Sequence, residues 1–228
     1  MGTPTRYPDG VTNVGPGESL QSYLSTDPSR MHVWFNDFDQ YTAAEWTVTE
    51  TQAGATQAIT NADGGILALV NSAADDDLNA IQWTKETYLM ATAKQFWLKS
   101  RFKVSDATQS DLVVGIQITD ATPLAVSDGF FWRKDDGSTT LKFIVVKNGT
   151  ETATTVATMA DDTYIQVAAH YDPNSSLIYL YANDVRVASC AITNFCDDEE
   201  LAFSIAVQNG EAAAKTLSTD YLLVSKER

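Results

Sequence analysis

The sequence has few of the features on which membrane insertion and nucleic-acid binding depend. No apolar run approaches the ~18 residues that cross a bilayer, and the start, MGTPTRYPDG, lacks the apolar core of a signal peptide. Fifteen basic residues stand against 30 acidic ones, for a net charge of −15. Because binding to a phosphate backbone needs clustered Lys and Arg, we expect no nucleic-acid partner, no membrane span and no export by a standard signal peptide.

Cysteine and histidine are also scarce. Cys190 and Cys196 have no histidine nearby, so they do not form a zinc site. Without export we expect two reduced thiols, and a disulfide closing a short loop is the alternative. His32 and His170 are the only imidazole bases, and neither a G-x-S-x-G turn nor a glycine-rich phosphate loop is present. We therefore predict no catalytic residue, no cofactor and no enzymatic activity.

Acidic residues are abundant but are not arranged for catalysis. A retaining glycoside hydrolase needs two carboxyl groups about 5–5.5 Å apart, and alternation along a strand supplies such a pair only at even spacing. The run Asp197–Glu200 is contiguous and lies at a predicted turn, so its side chains point in alternating directions. Asp75–Asp77, followed by Asn79, offers the hard oxygen ligands that calcium takes. We interpret it as a solvated turn and predict no metal, with a calcium loop as the alternative.

The first 30 residues differ from the rest of the chain. They hold four of the six prolines and four glycines, among them Gly10, Gly15 and Gly17. Proline fixes φ and removes a donor, whereas glycine loosens the backbone. We predict an extended N-terminal arm over residues 1–30, and a single domain over residues 31–228. An arm of this kind has no core of its own, so it is either disordered or ordered against a partner.

Short strands dominate the sequence from residue 31 onward. Residues 96–104 alternate apolar and polar side chains, as a strand with one buried face does. Asn148-Gly149 is a strong hairpin signal because both positions accept φ > 0, and Asn183-Asp184 is a second turn dipeptide. One short helix is expected at residues 85–93. Many short strands with turns every 8–12 residues or so indicate an all-β, antiparallel, two-sheet sandwich.

Trp97 is the tryptophan that this pattern singles out. It falls on the polar face of its strand with Lys99 and Arg101, opposite Phe96 and Leu98. Large aromatic side chains carry much of the energy of contact surfaces. We predict that Trp97 is an exposed aromatic residue that contacts another subunit or a second sheet, with sugar stacking as the alternative.

Several segments resemble concanavalin-like (laminin-G-like) jelly rolls. The stretch DTYIQVAAHYD at 162–172, followed by LIYLYANDVRV at 177–187, is similar to the late hairpins of these domains, with Asp184 in place of the usual glycine. WFNDFD at 34–39 is similar to their opening and TDYLLV at 219–224 to their closing strand. The resemblance implies a jelly-roll sandwich with an extended N-terminal arm. It leaves function open, because this fold hosts lectins, glucanases, adhesion modules and virion proteins.

The arm carries a second, narrower resemblance. PTRYPDGVTNV at 4–14 is similar to the start of proteins encoded among the head genes of tailed phages, in which a short arm precedes a β domain on the capsid surface. It implies a capsid decoration (cement) protein, made in the host cytoplasm and placed on the virion, with the major capsid protein as partner and a homotrimer as its assembly. The alternative is a carbohydrate- or receptor-binding module of a tail fibre. The arm residues expected to bind the capsid or neighbouring subunits are Arg6, Tyr7, Pro8, Val11 and Val14.

Overall fold

A computed structural model describes residues 30–228, and this part of the chain is almost entirely β-strand. Within it, one turn of 3-10 helix (Ala43–Glu45) interrupts the strands, and no helix is long and apolar enough to cross a membrane. The strands are β1 (Met31–Asn36), β2 (Trp46–Glu50), β3 (Thr56–Thr60), β4 (Ile66–Val70), β5 (Leu78–Trp83), β6 (Tyr88–Leu89), β7 (Phe96–Val104), β8 (Ser110–Gln117), β9 (Gly129–Lys134), β10 (Thr140–Lys147), β11 (Thr150–Thr158), β12 (Ile165–Asp172), β13 (Leu177–Ala182), β14 (Val185–Ala191), β15 (Glu200–Asn209) and β16 (Thr216–Glu227).

The strands form two antiparallel sheets that pack face to face. Sheet I has the order β14-β13-β12-β7-β16-β4-β3, and β1 pairs with the C-terminal half of β16. Sheet II has the order β11-β10-β9-β8-β15-β5-β2, and β6 pairs with the start of β15. The predicted all-β jelly-roll sandwich is confirmed.

Strand β7 shows how alternation builds the core between the sheets. Phe96, Leu98, Phe102 and Val104 all point inward and are at most 1% exposed. They join one continuous cluster to which both sheets contribute. Burial of each such side chain contributes roughly 1.5–3 kcal/mol, so this core is the main source of the domain's stability.

The two predicted hairpin turns have the expected backbone. Asn148 and Gly149 have φ of 50° and 74°, and they join β10 to β11. Asn183 and Asp184 have φ of 50° and 62°, and they join β13 to β14. Two consecutive residues with positive φ are what a two-residue hairpin with native twist requires, so Asp184 serves where the resembling domains carry glycine.

Two local predictions have different outcomes. The helix expected at residues 85–93 is wrong: this stretch contains β6, and Tyr88 and Met90 are both buried in the core. Their spacing of two is a strand period, which outweighs helix propensity when both side chains find the same core. Cys190 and Cys196 are free and buried, so the thiol interpretation is confirmed over the disulfide.

A buried lysine ties together one end of the sandwich. Lys215 is 4% exposed, and its Nζ lies 2.8 Å from Oδ2 of Asp106 and 2.6 Å from Oε1 of Glu211. Oδ1 of Asp106 also accepts the backbone N–H groups of Gln109 and Thr108. The hydrogen bond from the backbone N–H of Gln109, followed by that from Lys215, lowers the pKa of Asp106 to about 2.

We expect this cluster to make the domain acid-sensitive between about pH 4 and pH 2. Because the pKa of Asp106 is depressed by folding, its contribution is present above the unfolded pKa and is lost as the pH falls through the folded pKa. Allowing for partial exposure, the loss is about 1–2 kcal/mol. Urea unfolding at pH 7, 4 and 2.5 measures it. The Asp106→Asn variant should lose less stability on acidification than the parent, whereas Asp63→Asn, at an exposed carboxylate, should behave like the parent. Equal acid losses in all three proteins would contradict the assignment.

Candidate binding surfaces

The outer face of sheet I carries the residues that the sequence singled out. The strand register places Trp97 of β7 between His170 of β12 and Ser225 of β16. His170 points away from the core, as its alternation with Ile165 and Val167 predicts. Trp97 therefore lies on the outer face of sheet I, the face that the sequence pattern predicted.

The predicted exposure of Trp97 is wrong. Its side chain is 1% exposed, and its ring stacks on His170 with centroids 4.8 Å apart and planes 8° from parallel. Nε2 of His170 lies 3.1 Å from Oε1 of Gln95, which fixes the imidazole in place. Burial lowers the pKa of His170. Alternation specifies which face of a sheet a residue occupies and does not specify whether that face is covered, so Trp97 offers no open platform for a sugar or another subunit.

The basic residues beside Trp97 are neutralised by the protein itself. Three ion pairs cross this face: Lys99–Asp184 at 3.1 Å, Lys103–Asp162 at 3.1 Å and Arg101–Asp220. The guanidinium of Arg101 also lies over the ring of Tyr164, 4.1 Å from its centroid. The hydrogen bond from Lys99 lowers the pKa of Asp184. The face is therefore not an anion-binding surface.

Exposed apolar side chains lie at two edges of sheet I. On β1, Val33 is 40% exposed and Phe35 is 55% exposed, and both point to the outer face opposite Ser225 and Leu223. On β14, Val185 and Val187 are 64% and 46% exposed. Exposed apolar patches are the surfaces that most often contact other proteins. The Val33–Phe35 patch was not singled out by the sequence, because its strand resembles an ordinary opening strand of the fold.

The outer face of sheet II is covered by the chain segment between β8 and β9. Seven outward apolar side chains of the sheet are buried there and pack with Ile118, Leu124 and Val126 of the segment; they are Leu78, Ala80, Val113, Phe131, Ile144, Val146 and Ala206. Nε2 of Gln117 donates to the carbonyl of Pro123 at 2.8 Å and holds this segment down. Phe131 lies over Gly115, where a Cβ would meet it at 2.6 Å. The central outward positions of this sheet are thus filled by apolar and amide side chains.

A small pocket remains beside the covered area. It has a volume of about 330 Å³, opens to solvent, and lies between strands β2 and β5 and the start of the segment after β8. Its lining residues are Thr47, Thr49, Gln82, Thr84, Thr119, Asp120 and Ala121. They come from three separate parts of the sequence, so no local motif reveals the pocket.

The acidic loop considered for calcium is held by protein donors. Asp77 is fully buried, its Oδ2 accepts the backbone N–H of Ser72 at 2.6 Å, and its Oδ1 accepts the hydroxyl of Thr51 at 3.2 Å. These bonds close the turn between β4 and β5. Asp77 therefore has a structural role in shaping this loop.

A second group with potential metal ligands lies near β9. Oxygens of Asp128 and Asp198 and the sulfur of Cys196 lie within 4.8 Å of one another. Asp128 accepts the hydroxyl of Ser127 and the backbone N–H of Asn148, at 2.7 Å and 2.9 Å. Burial, followed by the charge of Asp128, raises the pKa of the Cys196 thiol to about 12. Asp128 is therefore held by protein donors, Asp198 pairs with Lys147 at 3.2 Å, and the Cys196 thiol is protonated at neutral pH.

The predicted binding residues of the arm lie outside the described part of the chain. They are Arg6, Tyr7, Pro8, Val11 and Val14. The first described residue, Arg30, directly precedes β1 and its exposed Val33 and Phe35.

Comparisons with known proteins bear on the fold. No protein-family model and no curated protein matches the chain. A protein of unknown function from Shewanella oneidensis is similar in structure, with a TM-score of 0.60 and 15% identity over 94% of this chain and 95% of the other. An endo-1,3-beta-glucanase from Streptomyces sioyaensis aligns with a TM-score of 0.62 and 10% identity, over 89% and 98%. The potassium-bound Emp46p carbohydrate recognition domain gives 0.57 and 10%, over 83% and 94%. At these identities the likeness shows the fold alone: the chain is a concanavalin-like jelly roll of the architecture found in lectin and glucanase domains.

Proposed function

We propose that this chain is a non-enzymatic structural protein of a tailed-phage virion, a capsid decoration protein that binds the major capsid protein. The head-gene-like motif at 4–14 precedes β1 in the sequence, and Val33 and Phe35 are exposed on β1. The exposed apolar pair on the first strand is the observation that supports the proposal, because it offers a contact on the rim of the sandwich in addition to the one expected of the motif.

The outer face of sheet II supports a role without catalysis. On sheet II, the central positions carry Val113, Gly115 and Gln117 on β8 and Ser204 and Ala206 on β15. A glycosidase on such a face needs two carboxyl groups about 5–5.5 Å apart for retention or ~6.5–9.5 Å apart for inversion. The central outward positions of these two strands carry apolar, hydroxyl and amide side chains. The outward carboxylates Asp111 and Glu200 lie at opposite ends of the strand pair, so they do not form such a pair.

A homotrimer is part of the proposal. Phage capsids present local three-fold positions, and a cyclic trimer places three copies of the same contact surface on them. The exposed Val185 and Val187 on the edge strand β14 offer a contact between copies. Three arms on one trimer also raise the avidity for the capsid beyond that of a single arm.

The location of the chain in the particle tests this function. Virions made with this chain should carry it on the head, detected by gold-labelled antibody in electron microscopy, and the purified chain should sediment as a trimer. Labelling confined to the tail, or particles without the chain, would contradict the proposal.

A carbohydrate- or receptor-binding module of a tail fibre is the second candidate. It is favoured by the fold shared with a carbohydrate recognition domain and by the polar pocket beside β2. Trp97 does not support it, because its ring is buried. Tail labelling in the same microscopy experiment is the outcome that this candidate expects.

A further inference from the structure

The pocket beside β2 is built from an array of hydroxyl groups on adjacent strands. Thr47 and Thr49 are alternate residues of β2, and the register places them opposite Gln82 and Ala80 of β5. Thr84 continues the row just beyond the end of β5. Neighbouring positions in such an array are about 5–7 Å apart, a span comparable with one sugar ring.

The polar groups of this pocket are only partly used by the protein. The hydroxyls of Thr47, Thr49 and Thr84 make no side-chain hydrogen bond within residues 30–228. Oδ1 of Asp120 accepts both the N–H and the hydroxyl of Thr122, whereas its Oδ2 has no such partner there. The pocket therefore presents three hydroxyls and one carboxylate oxygen to a ligand.

The remaining lining groups are held rigidly. Gln82 donates to the carbonyl of Ile118 at 3.2 Å and accepts the backbone N–H of Asp120 at 3.1 Å. Thr119 donates both its N–H and its hydroxyl to Oε1 of Glu86, at 2.6 Å and 2.7 Å. Because these bonds preform the pocket, a ligand loses little affinity to the ordering of side chains.

The chemistry of the lining defines the class of ligand. No basic side chain lines the pocket, and Asp120 together with the net charge of −15 disfavours an anion. No aromatic or large apolar side chain lines it either, so an apolar ligand gains nothing. Ligand pockets have volumes of about 300–1,000 Å³, and this one lies at the small end of that range.

We infer that the pocket is a binding site for one neutral sugar unit, held by the hydroxyls of Thr47, Thr49 and Thr84 and by Asp120. Threonine hydroxyls both donate and accept, and the carboxylate accepts, which suits the paired donors and acceptors of vicinal sugar hydroxyls. The inference does not depend on capsid binding, because none of the lining residues belongs to the arm. It supplies a site for the second candidate function that does not involve Trp97.

Titration of the full chain with four monosaccharide probes tests the site. The probes are methyl glucoside, methyl mannoside, methyl galactoside and N-acetylglucosamine. Binding is monitored by nuclear magnetic resonance through the backbone amide signals of Thr47, Thr49 and Thr119. For a single sugar unit we expect saturable shifts with a dissociation constant on the order of millimolar. The Thr49→Val and Thr84→Val variants keep the side-chain shape and remove one hydroxyl each, so each should weaken binding about 3- to 10-fold.

The matched control is Thr155→Val on β11, the opposite edge strand of sheet II, where the threonine is exposed. It should bind the sugar as the parent does. No saturable shift with any of the four probes, or equal affinity in the Thr49→Val and Thr84→Val variants and the parent, would overturn the inference. The same two variants should bind capsids normally, so failure of the sugar site and failure of the capsid role are told apart.

Discussion

Deletion of residues 1–29 is expected to abolish capsid binding while the domain stays folded. Both sheets and the core between them are formed by residues 30–228, so the truncated chain keeps its main source of stability. The truncated chain lacks the predicted contact residues of the arm, and removal of several central contact residues lowers the affinity for the capsid at least about 100-fold. Co-sedimentation with capsids measures binding, and circular dichroism with thermal melting measures folding.

Single substitutions in the full-length chain separate the arm's sequence from its length. Tyrosine and arginine are enriched among the residues that dominate binding energy, so Tyr7→Ala and Arg6→Ala should each weaken capsid binding about 10-fold or more. Pro8, Val11 and Val14 complete the predicted contact, and Thr3→Ala, just outside the motif, is the control. Normal capsid binding by the truncated chain would place the contact on the sandwich, and Phe35→Ala would then be the next variant to test.

The strands of this domain could be predicted because their signals are local. Alternation in β7 specified which side chains face the core between the sheets, and the dipeptides Asn148-Gly149 and Asn183-Asp184 specified two hairpins. These features depend on a residue's own φ preference and on the period of two along a strand. They need no knowledge of the partner strand.

The binding surfaces could not be predicted because they depend on contacts between distant segments. The segment at 118–128 covers sheet II, yet its apolar residues Leu124 and Val126 carry no signal of the face on which they pack. The pocket unites Thr47, Gln82 and Asp120, which no motif connects. The same limitation explains the error at Trp97, whose face was predicted correctly and whose burial was not.

Replacement of Trp97 by alanine is expected to destabilise the domain strongly. The side chain is 1% exposed and stacks on His170, so the variant loses a large buried surface and leaves a cavity. Such substitutions cost about 3–5 kcal/mol, which lowers the melting temperature by roughly 6–20 °C in a domain of this size. Urea unfolding followed by circular dichroism measures the change.

Phe35→Ala is the matched control for this prediction. Phe35 is an aromatic residue on the same outer face of sheet I, but it is 55% exposed. Its replacement should lower the free energy of unfolding by about 1 kcal/mol or less, because little surface is removed from the core. A Trp97→Ala variant as stable as Phe35→Ala would show that the indole is not part of the packed domain. It would then restore the original prediction of Trp97 as an exposed contact residue, and with it a sugar or subunit surface on sheet I.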